Sequence, residues 1–427
     1  MKLELQNVLI SNIDFADETK IVDGTLFINK EEMKATILKD KTVKSVEIDL
    51  ARPGEEIRII PVKDVIEPRF RVGRTNKFPG VTGEIEQLGN GVTKAMKNVA
   101  VVTTGDIVGF QEGIIDMWGE GAKWTPFSKT LNVVVNITPV DDLEPHEHER
   151  TARLAGLTSS EYLGEALKDI KPDNSEVYEI EDFVTSSEKL KDLPRVVYCE
   201  MLIAQGLLHD GYIYGVDAKQ ILPTLLNPLE ELDGAVISGN CVAACDKITT
   251  YQHQNNAVIL ELLKEHGKTI NFLGLVLVPE LTILDGKLRT CDYTVKLCKQ
   301  LAADAVIVSE EGYGNPDSDL VMIAEGLEKS GIKAVLITDE CSGWGGDSQP
   351  LADTKDEAKA VISTGNVSHL VHLPKASKVL GDERAIANLS GGWDGSLDEE
   401  GNITCELNAI IASTSEIGTH NLTVKLS

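Results

Sequence analysis

Over roughly the first 75 residues, apolar and polar positions alternate in short runs. LELQNVLI, GTLFINK, KSVEIDLA and EIRIIPV read as strands, with one charged stretch, EEMKATILKD, between them. Further on, NVAVVTTG and TLNVVVNITPV predict buried strands, and Glu144 to Ile170 carries apolar residues near helical spacing behind the acidic, His-rich start EPHEHER. PRVVYCEMLIAQG, opening at Pro194, is another apolar strand candidate. From Gly234 the pattern becomes one of repeated strand and helix units: AVISG, NAVILELLKEHG, INFLGLVLV, YTVKLCKQLA, DAVIVSEEGYG, DLVMIAEGLEKSG and IKAVLITDE. Wholly apolar strands imply a sheet covered on both faces, with right-handed crossovers. The expected class is α/β: a mixed, strand-rich amino-terminal region followed by a doubly wound, mainly parallel sheet. Residues 342–400, rich in Gly, Asp and Ser, give no ordered pattern.

A chain of 427 residues is too long for one ordinary core. Three regions are expected: a strand-rich module over 1–80, an α/β region over 81–240, and an α/β carboxyl-terminal subunit over 241–427, the last boundary set by the chemistry discussed below. Lys and Arg number 41 against 68 Asp and Glu, a formal charge of −27 that opposes binding to nucleic acid or anionic lipid. The amino terminus alternates acidic and apolar residues where a signal peptide would be uniformly apolar, and no later stretch is long enough without charge to span a bilayer. A cytoplasmic protein is expected. Its seven cysteines, an odd number spread along the chain, are then reduced thiols, and no selenocysteine is present.

Four segments hold candidate chemistry. His146-Glu147-His148-Glu149 sets imidazoles beside carboxylates, but histidines two apart diverge on a helix, so a solvated helix start is expected there and no metal. Residues 310–320, EEGYGNPDSDL, join a strand to a helix opened by Asn315, Pro316 and Asp317, at the strand end where α/β sheets bind ligands; no nucleotide-binding glycine motif is present. VIEPRFRVGRTNKFPG is the most basic patch of an acidic chain. Arg69, Arg71 and Arg74, with Lys77, would either grip a substrate carboxylate or pair with internal acids.

The fourth is GAVISGNCVAACDKITTYQHQN, in which a strand ends at Gly239-Asn240 and Cys241 follows, with the small residues Val242, Ala243 and Ala244 behind it. By composition alone Cys241 is a small buried apolar residue, and its C-x-x-x-C spacing to Cys245 matches no redox or zinc pattern. Chemistry offers another use. The thiolate of Cys241 can attack the Asn240 carbonyl to form a thioester; β-elimination of the sulfur and hydrolysis then leave a pyruvoyl cap on the new amino terminus. That requires a tight bend, for which Gly239 supplies freedom. The product is an electrophilic ketone able to condense with an amine.

With these segments in hand, the chain resembles the component B proproteins of glycine, sarcosine and betaine reductases, a family that includes the related proprotein of D-proline reductase. SGNCVAACDK, IEPRFRVGRTNKFPG and EEGYGNPDSDL carry the likeness, which extends over almost the whole chain. The resemblance implies self-cleavage between Asn240 and Cys241 and conversion of Cys241 to a pyruvoyl cofactor. It also implies binding of the amine of a small amino acid, glycine first, as a Schiff base. A selenolate from a partner, the selenoprotein subunit of component B together with selenoprotein A, would attack the α-carbon; the carboxymethyl selenoether would go on to acetyl phosphate. Asp246, Tyr251 and His253 are candidate proton donors and acceptors in that scheme, and His253 is alternatively a polar residue near the start of the helix that follows. Sarcosine and betaine are the alternative substrates, and a non-catalytic α/β scaffold with Cys241 unprocessed is the alternative class.

Overall fold

A computed structural model describes residues 1–204, 211–239 and 243–418. Asn240 and Cys241 lie outside the described residues. The chain is a mixed α/β protein with several sheets.

The largest sheet of the second half runs in the order Thr224–Leu226, Asn271–Glu280, Arg195–Ile203, Ala305–Ser309, Lys333–Glu340, Val361–Asn366. Thr224–Leu226 pairs antiparallel, and the other four ladders are parallel. The apolar run RVVYCEMLI explains the central position of Arg195–Ile203, because both of its faces are buried. Val197, Cys199 and Met201 pack with Cys291 and Cys298 of the helix Leu284–Gln300 and with Leu320, Ile323 and Leu327 of the helix Asn315–Lys329. Val196, Tyr198 and Leu202 belong to a second cluster with Val258, Ile259 and Leu262 of the helix Ala257–Glu265.

Among the described residues the first half builds two larger sheets and a small one of Asn12–Phe15, Thr25–Ile28 and Lys20–Val22. One of the larger sheets runs Asn174–Glu179, Lys2–Leu9, Gly91–Lys97, Arg69–Arg71; the other runs Gly113–Asp116, Ile57–Ile66, Val99–Gly105, Leu131–Pro139, Val43–Ala51. Ladders therefore cross residue 80 in both, pairing Lys2–Leu9 with Gly91–Lys97 and Ile57–Ile66 with Val99–Gly105. The helix Pro145–Gly164 buries Ala152, Ala155, Leu157 and Leu163 among Val99, Val101, Val133 and Val135 of the second sheet. Gly156 allows that approach: a Cβ there would sit 2.2 Å from Thr103 Oγ1. The charged stretch EEMKATI forms the helix Lys30–Ile37, whose Asn29 side chain caps the amide of Glu32.

Two placements differ from the sequence pattern. AVISG contributes only the two-residue strand Val236–Ile237, which pairs with Tyr212–Ile213 in a small separate sheet, whereas the nine-residue Arg195–Ile203 takes the central place in the parallel sheet. Residues 342–400, which showed no order in sequence, supply the sheet edge Val361–Asn366 and the strand Lys378–Gly381, which pairs in parallel with Ile57–Ile66.

Both large sheets therefore draw strands from either side of the Asn240-Cys241 bond. A chain cut once between residues 239 and 243 is expected to elute as a single particle of full-chain size under native conditions, its two pieces separating only in denaturant. Native elution of a free carboxyl-terminal piece would contradict this topology.

Candidate functional site

The parallel strands carry acidic residues at or near their carboxyl ends: Glu200 in Arg195–Ile203, Glu280 in Asn271–Glu280, Glu310 and Glu311 just after Ala305–Ser309, and Asp339 in Lys333–Glu340. All five are buried. This is the rim at which open α/β sheets place their ligands. The short helix Thr250–Gln254, nine residues beyond Cys241, is lodged among groups from both halves of the chain. Thr249 and Gln252 form a reciprocal capping box at its start. Thr250 donates to Asp64 through its amide at 3.0 Å and its hydroxyl at 2.7 Å, and its hydroxyl also receives the amide of Ser238 at 3.0 Å. Burial pushes the Asp64 carboxyl up to about 6, against those hydrogen bonds.

The three segments singled out in the sequence meet around this helix. From the arginine segment, the Glu67 amide donates to Gln254 Oε1 at 3.0 Å and Arg69 donates to the Gln254 carbonyl at 2.7 Å. From the 310–320 segment, Glu311 accepts the amides of Ile248 at 3.1 Å and Ile203 at 3.0 Å, tying the residues after Cys241 to the central strand. Gly314, with φ of 82°, turns the chain into the helix Asn315–Lys329, and Asp317 accepts the Gly314 amide at 2.8 Å.

His253 is fully buried between two carboxylates. Its Nδ1 lies 3.2 Å from Glu200 Oε1 and 3.4 Å from Glu231 Oε1, while Asn256 Nδ2 donates to both acids at 3.1 and 2.8 Å. Burial opposes an imidazolium here, but the hydrogen bonds and charges of the two acids outweigh it and raise His253 to about 10. Burial, together with the neighbouring Glu231, raises Glu200 well above the carboxylate range. The cluster crosses the candidate cleavage point, because both acids precede residue 240 and His253 and Asn256 follow residue 241.

Asp246 belongs to a second cluster. Its Oδ1 accepts from Cys245 Sγ at 2.9 Å and from Thr414 Oγ1 at 3.1 Å, and Thr414 Oγ1 also lies 3.1 Å from Asp339 Oδ2. Burial raises both carboxyls; the charge of Asp246 raises Asp339 further, whereas hydrogen bonds with Asp339, Cys245 and Thr414 pull Asp246 back down. Tyr313 of the 310–320 segment reaches this group through Asn408, whose Nδ2 donates to the Tyr313 hydroxyl at 2.6 Å and whose Oδ1 lies 3.5 Å from Cys245 Sγ.

The remaining candidates make other contacts as well. Tyr251 packs its ring edge-on against Phe127, with centroids 5.5 Å apart. Arg69 gives its donors to Glu67 and to the carbonyls of Leu232 and Gln254. Arg71 reaches the carbonyls of Lys77 and Asp233, and Arg74 those of Gln87 and Asn90, with Glu86 3.2 Å from Arg74 Nε. Each of these arginines has internal acceptors, and Arg69 and Arg71 also line a small pocket with Asn76, Phe78, Ser160, Glu161 and Gln254. His146 and His148 stand on the first turn of Pro145–Gly164, where burial lowers His148 below its ordinary value. Sequence reasoning missed Glu200, Glu231, Asp339, Asn408 and Thr414. Glu200 carried a signal, a charge inside the otherwise apolar run RVVYCEMLI.

The chain matches a family model described as glycine/sarcosine/betaine reductase component B subunits over residues 1–425. It is 48% identical over 428 residues to a protein of Acetoanaerobium sticklandii named glycine reductase complex component B subunits alpha and beta, covering all of both chains. A Peptoclostridium acidaminophilum protein of the same name is 49% identical over 426 residues, and the sarcosine reductase complex component B subunit alpha of that organism is 46% identical, each over the full length of both chains. A distant relative is the D-proline reductase proprotein of Acetoanaerobium sticklandii, 22% identical over 78% of this chain and 54% of its own length. No solved structure matches. Among the described residues, no helix is long and apolar enough to cross a membrane.

Replacing His253 with Gln leaves two buried acids without their cation and is expected to lower stability at neutral pH by about 3 kcal/mol. The folded-state value of His253 is raised above the ordinary 6.5, so its contribution is complete below about 6.5 and is lost as pH rises toward 10. The gap in urea midpoint between wild type and H253Q should therefore be larger at pH 6 than at pH 9.5. A gap that is flat or widens with pH would contradict the assignment.

Proposed function

The chain belongs to the family of glycine/sarcosine/betaine reductase component B subunits, and on that footing we propose that it is the proprotein of the substrate-binding component of glycine reductase, an oxidoreductase, dividing itself between Asn240 and Cys241. The observation that carries this reading is the end-to-end likeness to single chains that each bear the name of two subunits, alpha and beta. The distant relative named as a proprotein supports it.

In this reading the Cys241 thiolate attacks the Asn240 carbonyl, and the peptide bond becomes a thioester with a free amine on residue 241. Elimination across the Cα–Cβ bond expels the sulfur as the thiocarboxylate of residue 240, and water replaces the resulting enamine nitrogen with oxygen, releasing ammonia. The surroundings suit such a group. Gly239 and the small residues Ala243 and Ala244 flank the bond, and the anchors on either side, Ser238 to Thr250 and Ile248 to Glu311, are buried hydrogen bonds that would survive the cut. Once formed, the pyruvoyl carbonyl supplies an electrophile with which the substrate amine condenses as a Schiff base.

The chain's own residues then have supporting roles. His253, held as an imidazolium by Glu200 and Glu231, is a poor base at neutral pH and works instead as a clamp across the cut. Asp246, engaged by Cys245 and Thr414, fixes the segment behind the new amino terminus. With no selenocysteine in this chain, the selenolate that cleaves the carbon–nitrogen bond comes from a partner, the selenoprotein subunit, working with selenoprotein A toward a carboxymethyl selenoether and acetyl phosphate. Support for reading the second-half sheet as doubly wound comes from its four parallel ladders and from helices packed against opposite faces of Arg195–Ile203.

Glycine is preferred over sarcosine and betaine because the glycine reductase relatives are the more similar. Borohydride reduction in the presence of glycine is expected to add the amino acid to the peptide that begins at residue 241, and sarcosine to add less readily. Betaine, whose quaternary nitrogen cannot condense, should leave that peptide unlabelled. Labelling elsewhere, or equal labelling of a Cys241→Ala variant, would remove the basis of the proposal.

A further inference from the structure

Two groups of metal-ligating side chains converge among the described residues: Glu200 with Glu231 and His253, and Cys245 with Asp246 and Asp339. The first is filled from within, since the imidazole and the Asn256 amide occupy the space between its acids. The second is not. The Asp246 and Asp339 carboxyls hydrogen-bond to each other, but Asp246 Oδ2 and Asp339 Oδ1 receive no hydrogen bond from a donor group, and neither does either carboxylate oxygen of Glu416; all three residues are buried. The charges that bear most strongly on Asp339 are acidic, those of Asp246, Glu416 and Glu310. Leaving ionised oxygens buried without partners costs several kcal/mol each, so the cluster must hold either protons or a cation.

We propose that Cys245, Asp246 and Asp339 bind a divalent transition-metal ion of the zinc type, with Asn408 and Glu416 beside them. One ligand atom from each of the three residues lies within 4.8 Å of the others, and Thr414 Oγ1 stands 3.1 Å from both carboxylates, positioned to orient them. A sulfur with two carboxylates is a donor set that zinc accepts, and the thiolate disfavours magnesium and calcium. Thr414, which touches both carboxylates, also lines a cavity of about 240 Å³ with Ser413, Trp124, His369 and Asn366.

Without an ion the Cys245 thiol donates to Asp246, and the Asp246 and Asp339 carboxyls share one proton in the hydrogen bond between them. Binding displaces the thiol proton and a carboxyl proton to the buffer and leaves a thiolate and two carboxylates on the metal. The ion would tie residues 245–246 to the end of Lys333–Glu340 and to the segment that carries Asn408 and Thr414. All of its ligands lie between residues 245 and 416, so the site is independent of whether the chain is cut.

The test uses full-length protein stripped with chelator, dialysed and then supplied with zinc or cobalt under anaerobic conditions. One ion per chain should be retained, with release of protons. The cobalt form should show a near-ultraviolet sulfur-to-metal absorption band that is lost in Cys245→Ser, and Asp339→Asn should weaken zinc binding by roughly tenfold or more. X-ray absorption on the unmodified zinc protein does not depend on the variants folding; it should show a single sulfur at about 2.3 Å among oxygen neighbours. Failure to retain an ion, a cobalt band that persists in Cys245→Ser, or a shell with several sulfurs or none would overturn the proposal.

Discussion

The strand Arg195–Ile203 governs this architecture. It lies before the Asn240-Cys241 bond, yet its two hydrogen-bonding neighbours, Asn271–Glu280 and Ala305–Ser309, both lie after it. A cut at that bond would separate the backbone without opening the sheet, because the parallel ladders and the clusters on both faces of the strand hold it in place. The strand Lys378–Gly381 reciprocates, adding a downstream segment to the upstream sheet built on Ile57–Ile66. Were the chain divided at that bond, these non-covalent ladders would still join the two pieces.

Around the candidate bond, buried charged groups stand beside the apolar clusters that hold Ala244, Ile248 and Tyr251. The helix Thr250–Gln254 has only five residues and no independent stability. It is held by Asp64 at its start, by the Glu67 amide and Arg69 at Gln254, and by the Glu200 and Glu231 carboxylates at His253. Fully buried ion pairs continue outward, with Arg58 against Asp116 at 2.8 Å and Lys63 against Glu112 at 3.0 Å. Such pairs add little net stability over apolar packing, but removing one partner is costly, so they fix one arrangement of the chain and penalise others.

Much of this was legible in sequence. The unbroken apolar runs around Val197, Val276 and Val308 announced strands buried on both faces, and the Gly-rich junction before Asn315 announced a helix at a strand end. The segments quoted for the family likeness proved to be neighbours in space. What was not legible depended on partners far away in the chain. Nothing local in the sequence could place Leu232, Asp233 and Gln254 beside Arg69 and Arg71. Asp339 looked like the polar end of a strand, and nothing local links it to Asp246. Val236–Ile237 resembled a sheet strand only because local pattern cannot show which of two apolar runs will occupy the centre.

The most direct test of the central claim is the intact mass of the protein under denaturing conditions, purified anaerobically from its native source, beside a Cys241→Ala control. The account predicts two masses, one for residues 1–240 and a smaller one for residues 241–427 beginning with pyruvoyl, neither of them present in the control. A single uncut mass with Cys241 intact, persisting when the chain is co-expressed with the selenoprotein subunit, would contradict it and leave the chain as an unprocessed α/β scaffold.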